Sequence, residues 1–149
     1  MKTKMLIGII GLITVTRLYG QNPSAEFFRD TNGITVQCLN CQPGDTGRVD
    51  GILFMAVDRE MLDSMIAEEA DLSNVCTSLV TDMSALFAGS FRMGLLIQSW
   101  DVSNVTDMSD MFNGSLFFNT DISAWDVSSV TNMSAMFKDV SFNMDISSW

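Results

Sequence analysis

The chain has 149 residues, 47% of them apolar, with 18 acidic side chains against 8 basic ones and no histidine. That length suits one domain of moderate size. The missing His removes the commonest general base, the usual metal ligand and any Ser-His-Asp or Cys-His nucleophile pair. A net charge of −10 repels phosphate backbones, so nucleic acid is excluded as a partner.

Residues 1–20 read as a secretory signal peptide rather than as part of the fold. "MKTK" is basic, "MLIGIIGLITV" (Met5 to Val15) is an apolar run too short to span a bilayer comfortably, and Gly20 stands at a plausible cleavage edge. An uncleaved N-terminal anchor is the alternative. Cleavage predicts a secreted or cell-surface protein with no membrane span left. Export implies an oxidising compartment, where structural disulfides persist.

Residues 21–71 read as an N-terminal cap segment. "ITVQC" (Ile34 to Cys38) alternates apolar and polar, as a half-buried strand does. "QPGDTG" turns the chain. Asp50-Gly51 between two apolar stretches predicts a hairpin, and Asp58 reads as the N-cap of a helix through about Glu69. The helix carboxylates Glu60, Asp63, Glu68 and Glu69 read as solvated charges, not catalytic groups.

Three cysteines follow the leader: Cys38, Cys41 and Cys76. Three thiols without His are too few for a zinc site. Turn chemistry after Cys41 argues against a thioredoxin-type redox motif, which needs a helix start there. A structural disulfide remains. Cys38–Cys76 is the preferred pair because it would tie the cap to the repeats. Cys38–Cys41 is the alternative, and one thiol is left over either way.

Residues 72–149 repeat themselves at a period of 25. Val80, Val105 and Val130 coincide at that step, as do Met83, Met108 and Met133, and Phe87, Phe112 and Phe137. Trp100 and Trp125 keep it, and Trp149 comes one residue early. Within a unit the spacing Ile122-x-x-Trp125-x-Val127-x-x-Val130 follows the L-x-x-L-x-L-x-x pattern of leucine-rich repeats. It predicts a short parallel strand with Trp125 and Val127 inward, then a helical turn over "TDMSDMF" capped by Thr106. The expected fold is an α+β solenoid. It would be a leucine-rich-repeat-like stack of about three such units behind a small N-terminal α/β cap.

"FNTDISAWDVSSVTNMSAMF" (Phe118 to Phe137) resembles the BspA-like leucine-rich-repeat surface proteins of bacteria and the related repeats of mycoplasma lipoproteins. "FNMDISSW" repeats the signature, whereas "FRMGLLIQSW" in the first unit departs from it. The leader, "NGITVQC" and "VCTSLVTDMS" look like the start of such proteins in the Bacteroidetes. The resemblance implies a secreted or surface-exposed adhesion or partner-binding protein, and it carries over no catalytic residues.

Function is therefore read as non-enzymatic binding of an extracellular protein or glycan, with no cofactor and no metal. Outward positions of equivalent coils define the expected partner face: Asp101, Ser103, Asp126 and Ser128, with Ser99, Ala124 and Ser148 beside them. A calcium-stabilised structural repeat is the alternative, given the Asp and Asn near turns. A carbohydrate-active enzyme with paired carboxylates is the less favoured one. Trp149 stands where a further unit should continue, so the chain is also expected to be a piece of a longer protein.

Overall fold

The structure is a computed structural model that describes residues 22–149. The expected signal peptide lies outside the described residues. Strand β1 (Glu26–Arg29) pairs antiparallel with β2 (Val36–Leu39), placing Phe27 opposite Cys38. Strand β3 (Thr46–Val49) and strand β4 (Ile52–Ala56) form a second antiparallel pair. Asp50 and Gly51 both take positive φ, 52° and 82°, in the two-residue turn between them. That geometry matches the right-handed twist of the flanking strands, which is why Asp-Gly belongs there.

Helix α1 (Arg59–Ala67) begins at Asp58, whose carboxylate accepts the Met61 N–H at 2.9 Å. It ends at Ala67 with Glu68 as its C-cap, and Glu69 then turns the chain away with a left-handed φ of 55°. Leu62 is its fully buried residue. The chain then returns to add β5 (Val75–Cys76) parallel to β4, giving the sheet order β3-β4-β5. The two sheets meet where Phe27 lies over Gly47. A Cβ there would sit 2.2 Å from the Phe27 ring, so only glycine admits the contact. Val36, Val49, Phe54, Ala56 and the three cysteines form the small core between them.

Past Cys76 the regular elements stop, and this corrects the expected architecture. The five strands lie in two sheets, all before Thr77, with one short helix. Residues 77–149 contain no strand and no helix, only isolated parallel bridges at Asp82–Asp107 and Asp107–Asn132. The α+β solenoid, a leucine-rich-repeat-like arrangement of parallel strand plus helical turn, is not formed. The backbone supplies the reason. Over "TDMSDMF" alternate N–H groups leave the local chain and bond to carbonyls 24 residues on. Met83, Ala85, Phe87 and Gly89 donate to Asp107, Ser109, Met111 and Asn113 at 2.7–2.9 Å. Met108, Asp110, Phe112 and Gly114 donate in the same way to Asn132, Ser134, Met136 and Lys138. Ala85, Asp110 and Ala135 meanwhile take positive φ of 52–56°, which breaks any helix at its second turn.

The 25-residue step therefore survives as side-chain registry. Phe112 lies 5.7 Å from the ring of Phe87 and 5.9 Å from that of Phe137, nearly parallel to both. Each Trp indole reaches back to an earlier carbonyl: Trp100 to Leu72 and Trp125 to Ile97 at 3.2 Å, Trp149 to Ile122 at 3.4 Å. Trp100, Phe87, Phe112, Met83 and Met108 are sealed in the main core. Met133 and Trp149 at the far end are only partly covered.

Candidate functional site

A local grammar governs the acidic residues of the repeats. Asp71, Asp82, Asp101, Asp107, Asp121, Asp126 and Asp145 each accept, through Oδ1, the backbone N–H of the serine two residues on. Asn132 does the same to Ser134. These are Asx turns, in which a short side chain mimics a backbone carbonyl. The serine hydroxyl often adds a second bond, as Ser109 does to Asp107 at 2.6 Å. Hydrogen bonds from the serine backbone or hydroxyl hold Asp71, Asp82, Asp107, Asp121, Asp126 and Asp145 below the usual carboxylate value. A carboxylate that accepts N–H and O–H donors is favoured in its charged form.

The residues of the expected partner face separate under this view. Asp101 is buried, 3% exposed, and its carboxylate is filled by Ser103 on one oxygen and by the Ser78 hydroxyl at 2.5 Å on the other. Ser103 is half-buried beside it. Asp126 and Ser128, one repeat on, are exposed, and Asp126 accepts the Ser128 N–H at 3.0 Å. The chain itself covers part of this side. The Val36 N–H of β2 donates to Ser99 O at 2.8 Å, the Cys38 N–H to the Ser78 hydroxyl at 3.1 Å, and the Asn32 amide to Ala124 O at 3.3 Å. The N-terminal hairpin thus lies across the positions of Ser78, Ser99 and Ala124. Sequence periodicity carried no signal for that cover, because it arises between segments tens of residues apart.

Cys38, Cys41 and Cys76 are buried free thiols, so neither expected pairing is made in this structure. The fold nevertheless brings them together in the small core. The Cys76 thiol donates to the Val36 carbonyl and lies beside the Ser78 hydroxyl, both at 3.3 Å, and the Cys41 thiol donates to the Leu39 carbonyl at 3.5 Å. A hydrogen bond with Cys38, with burial next, holds Cys76 far above the usual thiol value. Burial raises Cys41 as well.

Two shallow surface depressions remain. One, between the second and third repeats, is lined by Asp121, Ser123, Ala124, Asp145, Ser147 and Ser148. The other lies between the end of α1 and the irregular first unit, beside Ile66, Glu69, Phe87, Phe91 and Arg92. Arg92 reaches the Ala70 carbonyl at 2.7 Å, while its buried Nη1 has no hydrogen-bond partner. Next to it the surface is unusually apolar. Phe91 is 70% exposed and Met93 77%, and Leu96, Leu116 and Phe117 are about half exposed. The two loops that carry them run side by side, joined by Thr120 Oγ1 to Leu95 O at 2.8 Å and by the Ser115 hydroxyl to Phe87 O. The departure of "FRMGLLIQSW" from the repeat form is the sequence signal for this patch.

A family model, described as Mycoplasma protein of unknown function, DUF285, matches residues 58–149. The chain belongs to the DUF285 family. The match begins at the N-cap of α1 and runs through every 25-residue unit, so the DUF285 segment includes the Asx turns, the aromatic registry and the apolar loops. It leaves out Cys38 and Cys41. No curated protein and no solved structure matches this DUF285 chain. Among the described residues no group of three or more His, Cys, Asp or Glu is placed to hold a metal ion. Nor is any helix among them long and apolar enough to cross a membrane.

Proposed function

We propose that the chain is a secreted or surface-exposed, non-enzymatic repeat protein that binds an extracellular protein or glycan, an adhesion module of the BspA-like surface group. The resemblance of Phe118 to Phe137 to that group supports the surface assignment. The observation that carries the binding reading is the exposed apolar cluster of Phe91, Met93, Leu96, Leu116 and Phe117 on two adjoining loops. Large side chains exposed in neighbouring loops mark contact sites more often than solvated surface does. Aromatic rings in such a cluster can stack on a sugar face or fill a protein pocket. Asp126 and Ser128 form the open end of a second, acidic face.

The two faces are separable. Immobilised matrix proteins and a glycan array, probed with the purified chain and with Phe91→Ser/Phe117→Ser and Asp126→Ala variants, test the reading. Loss of the bound signal in the double variant alone, at unchanged thermal stability, supports the apolar loops. Loss in Asp126→Ala alone moves the contact to the acidic face. Equal binding by both variants removes both assignments.

A further inference from the structure

Neighbouring 25-residue units are joined through their backbones in the same way each time. Met108, Asp110, Phe112 and Gly114 of the second unit donate to carbonyls of the third. The Thr131 N–H and hydroxyl of the third donate back to Thr106 O at 2.9 and 3.1 Å. On its outer edge the third unit carries the equivalent groups: the N–H of Met133, Ala135, Phe137 and Asp139, and the Thr131 carbonyl. None of these has a hydrogen-bond partner among the described residues. The coil form is kept there all the same. Ala135 and Asp139 take φ of 55°, and their equivalents Asp110 and Gly114 take 56° and 73°. The side chains follow suit: Phe112, Phe118 and Trp125 are buried, whereas Phe137, Phe142 and Trp149 are only half-buried.

We propose that this outer edge is a docking edge for a repeat coil of another DUF285 chain, taken up in trans as a further unit of the stack. Donors at alternate residues call for an extended main chain that offers a carbonyl at every second residue, which is how a segment adds to a free edge. The half-covered rings call for aromatic side chains at matching positions. A coil of the repeat form supplies both. Carbonyls at its equivalents of Asp107, Ser109, Met111 and Asn113 would accept from Met133, Ala135, Phe137 and Asp139, as those four accept from Met83, Ala85, Phe87 and Gly89 within this chain. Its equivalents of Phe112, Phe118 and Trp125 would lie over Phe137, Phe142 and Trp149, repeating the stacking already made between those pairs.

A second copy of this chain is a poor occupant. At the opposite edge of the stack Arg59 of α1 donates to Asp82 O at 3.2 Å, the position equivalent to Asp107, and Met61, Met65 and Ile66 pack on the core. That edge is covered, so a second copy has only its own third-unit edge to offer. There N–H groups would face N–H groups. The occupant is therefore a repeat coil whose carbonyl edge is bare. The docking edge shares no residue with the apolar loops or with Asp126 and Ser128, so its test is independent of theirs.

The probe is a synthetic peptide with the sequence of residues 101–125, added to the full chain while backbone amide exchange is followed. Exchange at Met133, Ala135, Phe137 and Asp139 should slow by ~10-fold or more. A scrambled peptide should leave those amides unchanged. Phe112→Ser in the peptide removes the ring that would lie over Phe137 and should weaken binding by ~10-fold or more. That change is made in the peptide, so the folding of the chain is not at stake. No slowing at the highest soluble peptide concentration, equal slowing by the scrambled peptide, or equal binding of the Phe112→Ser peptide overturns the proposal. So does sedimentation showing that the chain alone dimerises with those amides already protected, which would make a second copy the occupant.

Discussion

The two halves of the molecule use the same backbone chemistry differently. In residues 22–76 neighbouring strands exchange N–H and C=O groups in ladders, and the hairpin turn, the N-cap and the sheets are all regular. In residues 77–149 the partners lie 24 or 25 residues away, one bond at a time, with a turn between bonds. The N-terminal half has a small core of mostly modest side chains. The repeats have a long core of Trp, Phe and Met in register. A segment without regular elements can thus be held by side chains that recur at one spacing, provided each turn satisfies its own polar groups. The Asp-x-Ser turns do so.

Breaking the core of the repeats should cost most. Trp125→Ala removes a side chain only 3% exposed, its bond to Ile97 and its parallel contact with Trp149 at 6.5 Å. Core Trp truncations cost about 3–5 kcal/mol. Urea unfolding measures this, and a loss under about 1 kcal/mol would mean the indole is not a core element. The half-covered Trp149 should lose clearly less on the same change, which sharpens the contrast between the interior and the far end.

Asp101→Ala tests whether a turn aspartate at the junction of the halves differs from one on the surface. It leaves the Ser78 hydroxyl and the Ser103 N–H without their acceptor in a buried place. Unpaired buried groups cost about 1–3 kcal/mol. The exposed Asp126→Ala should stay within about 0.5 kcal/mol, as surface changes do. Equal effects in the same denaturation assay would show that the cover over Asp101 has no energetic weight.

In the N-terminal half, Asp58→Ala removes the N-cap of α1 and should cost about 1 kcal/mol. Asp58→Asn should restore most of it. Amide exchange in α1 reads both, and no change in protection at Met61 would refute the cap.

The smallest effect per group is the pH dependence of the Asx turns. Six aspartates have folded-state values below the ordinary 3.8. A depressed folded value gives stability that is present above the unfolded value and is lost as pH falls through the folded one. Stability should therefore be flat from neutral pH down to about pH 5 and decline below about pH 4. The loss should fall mainly on the repeats, which hold five of the six, Asp71 lying just before them. A melting temperature independent of pH between 5 and 2.5 would contradict the turn assignment.

Much of the core was readable from the sequence. The columns Val80/Val105, Met83/Met108 and Phe87/Phe112/Phe137, and the inward Trp100 and Trp125, all came from periodicity, as did the apolar spacing that buries them. The Asp50-Gly51 turn and the Asp58 cap were also readable, because turn and cap chemistry depends on a few adjacent residues. Spacing could not say where each backbone N–H would go. Strand, helix and turn can present the same apolar columns, and the choice lies in partners 24 residues distant and in positive φ at Ala85, Asp110 and Ala135. The same limit applies to the expected face. Asp101 and Asp126 are equivalent in sequence, yet only Asp101 lies beneath the N-terminal hairpin. Periodicity is a local property that each repeat carries. Burial by a segment from outside the repeat is decided only when the chain closes on itself.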